Sequence, residues 1–144
     1  MQADTLRSMT NRLLYRINPN RYFLFPVHYD LFYPYPMLEP EITTQEFAQQ
    51  RLQPNAPLLL DVREPWEFQT ASLPDSLLMP MGEVASRAHQ ELDPDAPIVV
   101  LCHHGARSLS VTMWLRNQGF EHAQSLAGGI DAWSRTVDPA VPRY

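Results

Sequence analysis

Only one of the 144 residues is a cysteine, Cys102, and it closes the apolar run "IVVLC" directly before His103, His104, Gly105, Ala106 and Arg107. A lone thiol is most often a small buried apolar side chain. This one stands where a strand-like run gives way to the helix-like run "SLSVTMWLRNQG", and in open parallel sheets ligands bind at that end of the strands. Gly105 permits the positive φ of a tight loop. Successive amides in such a loop point inward as an anion-binding nest, and a helix beginning near Ser108 adds the positive end of its dipole. Arg107 brings a charge that does not titrate away. Together these features favour a reactive thiolate and can hold an anionic sulfur species. That is the chemistry of a nucleophile.

The neighbouring histidines invite a metal, but adjacent residues rarely point at one ion and a closed site needs about four ligands. No second cysteine exists, so no metal and no cofactor is expected. His103 and His104 are read instead as lining the pocket and drawing in anionic donors when protonated. A single thiol also excludes an internal disulfide and a resolving cysteine. All eleven basic residues are arginine, which rules out lysine Schiff-base chemistry and a Walker-type phosphate loop. The net charge of −5 gives no reason to expect nucleic acid. No apolar run reaches membrane length, and no signal peptide opens the chain. A reducing cytoplasm is the expected compartment.

The elements that must position Cys102 follow from the punctuation after Glu39. "EITTQEFAQQRL" has Thr43 as a helix cap, Glu46 as its capping-box partner, and Ile42 with Phe47 as a hydrophobic staple. "PLLLDV" and "IVVLC" are short continuous apolar runs, as in strands covered on both faces. "EPWEF" places Pro65 in a first helical turn. Val84, Ala88 and Leu92 form one helical stripe, and Val111, Trp114 and Leu115 form another that ends at a capping Gly119. "HAQSL" reads as a weak strand, and Gly128-Gly129 turns into "IDAW", with Asp131 in the last helix's first turn. Strands alternating with helices imply an α/β sandwich with parallel pairing. Asp61 reads as structural, starting a turn or bonding loop amides or Arg63. Arg63 and Glu64 read as a fold-stabilising pair, ahead of a substrate contact from Arg63, and the three tryptophans read as packing.

With those elements in place, "CHHGARS" resembles the active-site loop of the rhodanese sulfurtransferases, a cysteine, four residues and an arginine. "LLLDVREPWEF" resembles the family's early strand and Asp-Val-Arg-Glu signature, "LAGGIDAW" its closing motif and "EIT..EF" its opening helix. The resemblance runs from about Glu41 to Trp133. It implies a rhodanese-like three-layer sandwich with a central, mostly parallel sheet flanked by helices. It also implies that Cys102 accepts a sulfane sulfur as a persulfide. The backbone from His103 through Gly105 and Ala106 to Arg107 would cradle the outer sulfur, and the Arg107 side chain would orient the donor. Thiosulfate or another persulfide donor, and cyanide or a thiol as acceptor, including a protein thiol, are the implied partners. One stretch departs from the pattern: where the family has Gly-His-Ile-Pro-Gly-Ala, this chain has "ASLPDS", residues 71–76.

Two other functions compete. A cysteine phosphatase or arsenate reductase needs five residues between Cys and Arg, and here there are four. A rhodanese-like binding module without turnover is the alternative from another class. The expected organisation is an extension over residues 1–38, a rhodanese domain over 39–136 and a tail over 137–144. Residues 15–37 hold eight of the fifteen aromatic residues without helical or strand periodicity. So apolar a stretch is expected to pack on the chain itself or on a twin subunit, as in a homodimer.

Overall fold

The computed structural model describes residues 38–144 in full and, before them, the backbone of two short strands. The chain forms two compact units, Met1–Pro36 and Met37–Tyr144. In the first unit, β1 (Tyr15–Asn18) and β2 (Arg21–Phe23) pair antiparallel, Tyr15 opposite Phe23 and Arg16 opposite Tyr22. These residues correct the expectation of a stretch without strands. Pro19 and Asn20, between the strands in sequence, are turn formers, and three or four residues are too few to show a period. How the extension packs, and whether it joins two copies, lies outside the described residues.

The second unit opens with β3 (Glu41–Ile42), α1 (Thr44–Arg51), β4 (Leu58–Asp61), α2 (Pro65–Thr70) and β5 (Ser76–Leu78). A short 3-10 turn (Met81–Glu83) then leads into α3 (Val84–Glu91), β6 (Ile98–Leu101), α4 (Ala106–Asn117), β7 (Ala123–Leu126) and α5 (Gly129–Thr136). The five strands lie in the order β3-β7-β6-β4-β5, and each pairing is parallel. From β4 the chain moves outward one way to β5, and from β6 the other way to β7. The switch point lies between them, where the carboxyl ends of β4 and β6 run side by side with Asp61 opposite Leu101.

The alternation of side chains along a strand divides the apolar runs between two cores. Leu60, Val62, Val100 and Cys102 face α3 and α4, meeting Val84, Ala88, Leu92, Val111 and Leu115. Leu59, Val99 and Leu101 face the other way, onto Phe47 of α1 and Ile130 and Trp133 of α5. A sheet buried on both faces needs apolar residues at consecutive positions, and "LLL" and "IVVL" supply them. The result is the expected three-layer α/β sandwich.

The local signals behave as their chemistry requires. Thr43 Oγ1 accepts from the Glu46 amide at 3.2 Å, and Glu46 Oε2 accepts from the Thr43 amide at 3.0 Å. Pro65 starts α2, and Gly119 follows α4 with a φ of 96°. In the departing stretch, Asp75 adopts a φ of 58°, a left-handed conformation that Asp tolerates better than most residues. The loop is pinned by Arg51 on the Pro74 carbonyl at 2.7 Å and by Ser76 Oγ on the Leu73 carbonyl at 2.7 Å. Residues 137–144 pack back on the domain, with Val141 in the core beside α1 and α5.

Candidate active site

Cys102 leaves the carboxyl end of β6 at the switch point and is 1% exposed. Two elements shape the loop that follows. The first turn of α5 holds it from one side: the Ile130 amide donates to the Cys102 carbonyl at 2.9 Å and the Asp131 amide to the His103 carbonyl at 3.1 Å. This satisfies helix-start donors that would otherwise lack partners. The approach is so close that a Cβ on Gly129 would collide with both carbonyls. Here glycine is a steric requirement. From the other side α4 begins at Ala106, earlier than the expected Ser108, with Gly105 as its cap at a φ of 103°. A side chain at 105 would be strained by that φ, and its Cβ would lie 3.0 Å from the Gly128 nitrogen.

Two of the loop's carbonyls are committed to α5, and one of its amides faces the thiol. The Gly105 amide donates to Cys102 Sγ at 3.1 Å, and the thiol donates to Ser108 Oγ at 3.3 Å. Ser108 Oγ bonds Ser125 Oγ at 2.8 Å and the Gly105 carbonyl at 3.0 Å. The amides of Ala106, Arg107 and Ser108, at the start of α4, have no acceptor among the described residues. Unpaired helix-start donors that follow a buried sulfur in the chain suit an anion that extends from it.

Arg107 is placed differently from the expectation of a free cation. Its Nη1 and Nη2 donate to Glu67 Oε2 and Oε1, both at 2.8 Å. Glu67 is 4% exposed and also accepts from the Glu64 amide at 2.9 Å and the Tyr144 hydroxyl at 3.1 Å. A buried carboxylate needs such partners. The Arg107 guanidinium is the main cause holding the Glu67 carboxyl down at about 2; burial opposes it, and the Glu64 amide and Tyr144 hydroxyl reinforce it. A carboxyl lowered from 4.5 to about 2 stabilises the fold fully above its unfolded value, and that contribution is lost as pH falls through the folded one. Thermal melts should therefore show the wild type losing stability between about pH 4.5 and about pH 2 more steeply than Glu67→Gln. Parallel curves would remove Glu67 as the linked group.

Arg63 takes Asp61, not Glu64, as its partner. Asp61 lies two residues back on the same side of the chain, and both side chains are 0% exposed. Glu64 is exposed, and its amide serves Glu67. Arg63 further reaches the Ala71 carbonyl at 2.8 Å and the Tyr144 hydroxyl at 2.8 Å. Trp133 is buried and Trp114 half-buried, as packing requires, but Trp66 is 61% exposed, with its ring edge-on to Tyr144.

His103 and His104 stack, with ring centroids 3.9 Å apart and planes 25° apart. The other face of His103 lies on Tyr144, centroids 4.1 Å apart. Burial, and then the neighbouring His104, push the His103 imidazolium below the usual histidine range. That shift disfavours the protonated form on which its expected attraction of anionic donors relies. The ligand atoms of His103, His104 and Asp131 lie within 4.8 Å of one another. Near-parallel rings cannot both aim an in-plane lone pair at one ion about 2.0 Å away. Asp131 is moreover paired with Arg135 at 2.7 Å and Arg143 at 3.0 Å.

The model of the rhodanese-like domain matches residues 43–136. The chain belongs to the rhodanese-like family. A sulfurtransferase of Allochromatium vinosum is 35% identical to it over 101 residues, covering 70% of this chain and 94% of its own. The rhodanese-like/PpiC domain-containing protein 12 of Arabidopsis thaliana, chloroplastic, is 43% identical over 89 residues, covering 60% of this chain. The chain spans only 30% of that protein's length, and about a quarter of several further relatives. The crystal structure of a rhodanese-like domain protein from Staphylococcus aureus superposes with a TM-score of 0.62 at 25% identity, covering 72% of this chain and 97% of its own. No helix of the described residues is long and apolar enough to cross a membrane.

Within this rhodanese-like domain, sequence reasoning placed Cys102 and its loop but missed Glu67, Ser108 and Tyr144. Glu67 carried a usable signal, since a Glu three residues after a cap beside Pro65 marks a first turn near the sheet edge. Nothing in "VPRY" marks Tyr144 as part of a site.

Proposed function

We propose that this chain is a sulfurtransferase that moves a sulfane sulfur from thiosulfate or another persulfide donor to a thiophilic acceptor through Cys102. The single observation that carries the reading is the buried Cys102 sulfur held by the Gly105 amide and Ser108 at the start of α4. In the first half-reaction the Cys102 thiolate attacks the sulfane sulfur of thiosulfate. A new S–S bond forms, the old one breaks, and its electron pair leaves on sulfite. In the second, cyanide or a thiol attacks the outer sulfur, and the electron pair returns to Cys102. No external oxidant or reductant is needed. The amides of Ala106 to Ser108 stabilise the outer persulfide sulfur as preorganised donors, and His103 and His104 wall the space it occupies.

Arg107 serves this site as half of a charge pair. The two terminal nitrogens are taken by Glu67, so an anionic donor meets a cation already neutralised on one side. Removing it exposes the Glu67 carboxylate to the donor and adds repulsion to the lost attraction. Arg107→Ala should lower kcat/KM for thiosulfate at least about tenfold, measured as thiocyanate formed in the presence of cyanide. Unchanged thiosulfate kinetics would take Arg107 out of the site. Thiosulfate should also add one sulfur atom to the intact wild-type protein by mass spectrometry; no adduct from thiosulfate or a glutathione persulfide would overturn the sulfur-transfer reading.

A further inference from the structure

After α5 the chain doubles back over the site. The Val137 and Asp138 amides both donate to the Trp133 carbonyl, Val141 sinks into the core, and Arg143 Nε grips Asp131 at 3.0 Å. Tyr144 then enters the space between α2 and the Cys102 loop. Its ring lies flat on His103, with planes 14° apart, and edge-on to Trp66 at 5.9 Å. Its hydroxyl accepts from Arg63 and donates to Glu67. These four neighbours anchor one ring in one place, between the buried Arg63–Asp61 pair, α2 and His103 of the Cys102 loop. The opposite side of the loop is sealed by the first turn of α5, where even a Cβ at Gly129 has no room. Through His103 and Glu67 the ring touches both the loop that holds Cys102 and the carboxylate that holds Arg107.

From this we infer that Tyr144 is a specificity-determining residue, whose ring fills the gap between Trp66 and His103 and so confines the donor to a small or unbranched carrier of sulfane sulfur. The inference rests on the sulfur-transfer reading above and names the donor class for that site. Without the ring, Trp66 and His103 would face each other across a slot of about the thickness and polarity of one aryl group, since stacked and edge-on aromatic pairs sit roughly 4.5–7 Å apart. Benzenethiosulfonate is the matching probe. Attack by the Cys102 thiolate on its terminal sulfur breaks the S–S bond and releases benzenesulfinate with the electron pair.

The test compares benzenethiosulfonate with thiosulfate on the full chain carrying Tyr144→Ala, Tyr144→Leu or Tyr144→Phe. The ratio of kcat/KM for the aryl donor to that for thiosulfate should rise at least about tenfold in the alanine and leucine variants, through a lower KM for the aryl donor. Tyr144→Phe keeps the ring and should keep the wild-type ratio. A second measurement does not depend on turnover. Alkylation of Cys102 by N-phenylmaleimide, relative to iodoacetamide, should speed up by a similar factor in the ring-free variants. The inference is overturned if both donors lose rate together with the ratio unchanged, or if Tyr144→Phe shifts the ratio as far as alanine does. A widened alkylation ratio without sulfur transfer from either donor would support the gate and defeat the sulfurtransferase reading. An unwidened one in a protein that does transfer sulfur would do the reverse.

Discussion

Replacing Cys102 by serine should abolish sulfur transfer altogether: no sulfur adduct after incubation with thiosulfate, and thiocyanate formation at the background rate. The variant removes the one atom that can carry the transferred sulfur, because a serine hydroxyl is neither ionised at neutral pH nor able to hold a sulfane sulfur. The surroundings remain. The Gly105 amide at 3.1 Å and Ser108 at 3.3 Å offer a serine oxygen the same donor and acceptor, so the buried hydroxyl keeps partners and the fold should hold. Circular dichroism melts close to the wild type, together with no turnover, separate loss of the nucleophile from loss of the protein. This effect is total, whereas loss of Arg107 takes away one electrostatic contribution among several. Turnover by the serine variant at the wild-type rate would transfer the role to another residue and dismantle the mechanism.

The second large effect concerns stability. Arg63→Ala should destabilise the domain by about 3–5 kcal/mol, because breaking a buried pair leaves an uncompensated buried charge. The carboxylate left behind, Asp61, is 0% exposed at the end of β4, so water cannot take over from the guanidinium. The substitution also strips a donor from the Ala71 carbonyl and the Tyr144 hydroxyl. Against a total stability of roughly 5–15 kcal/mol for a domain, such a loss brings the protein near its threshold. Urea titration should show the transition midpoint moving well down with little change in slope. Arg63→Lys restores the charge but not the planar fork that reaches Asp61, Ala71 and Tyr144 together, so it should recover only part of the loss. A midpoint within the error of the wild type for Arg63→Ala would mean that the pair contributes nothing to stability.

The residues that carry the fold were legible because their causes are local. Thr43 with Glu46, Pro65, Gly119 and the runs "LLL" and "IVVL" act through hydrogen bonds and burial within a few positions of themselves. The same locality made the Cys102 loop readable: a thiol, a glycine forced to positive φ and a helix start lie within seven residues, and chain order sets their proximity. Of the two partners the sequence offers Arg63, Glu64 and Asp61, the structure selects Asp61, since the alternation of an extended chain sends 61 and 63 to one side and 64 to another.

What the sequence by itself determined is the α/β alternation, the two-faced strands and the placing of Cys102 at a strand's carboxyl end. What only the tertiary structure decided is how the charges and rings around that thiol are shared. Glu67 meets Arg107 forty residues away, and Tyr144 reaches Glu67 across seventy-seven. Burial, and then the neighbouring His104, lower the pKa of His103. A side chain's type states what it can bond, but when many arginines and acids compete, geometry selects the pair. Burial then decides whether the charge remains available to a substrate or is spent on its neighbour.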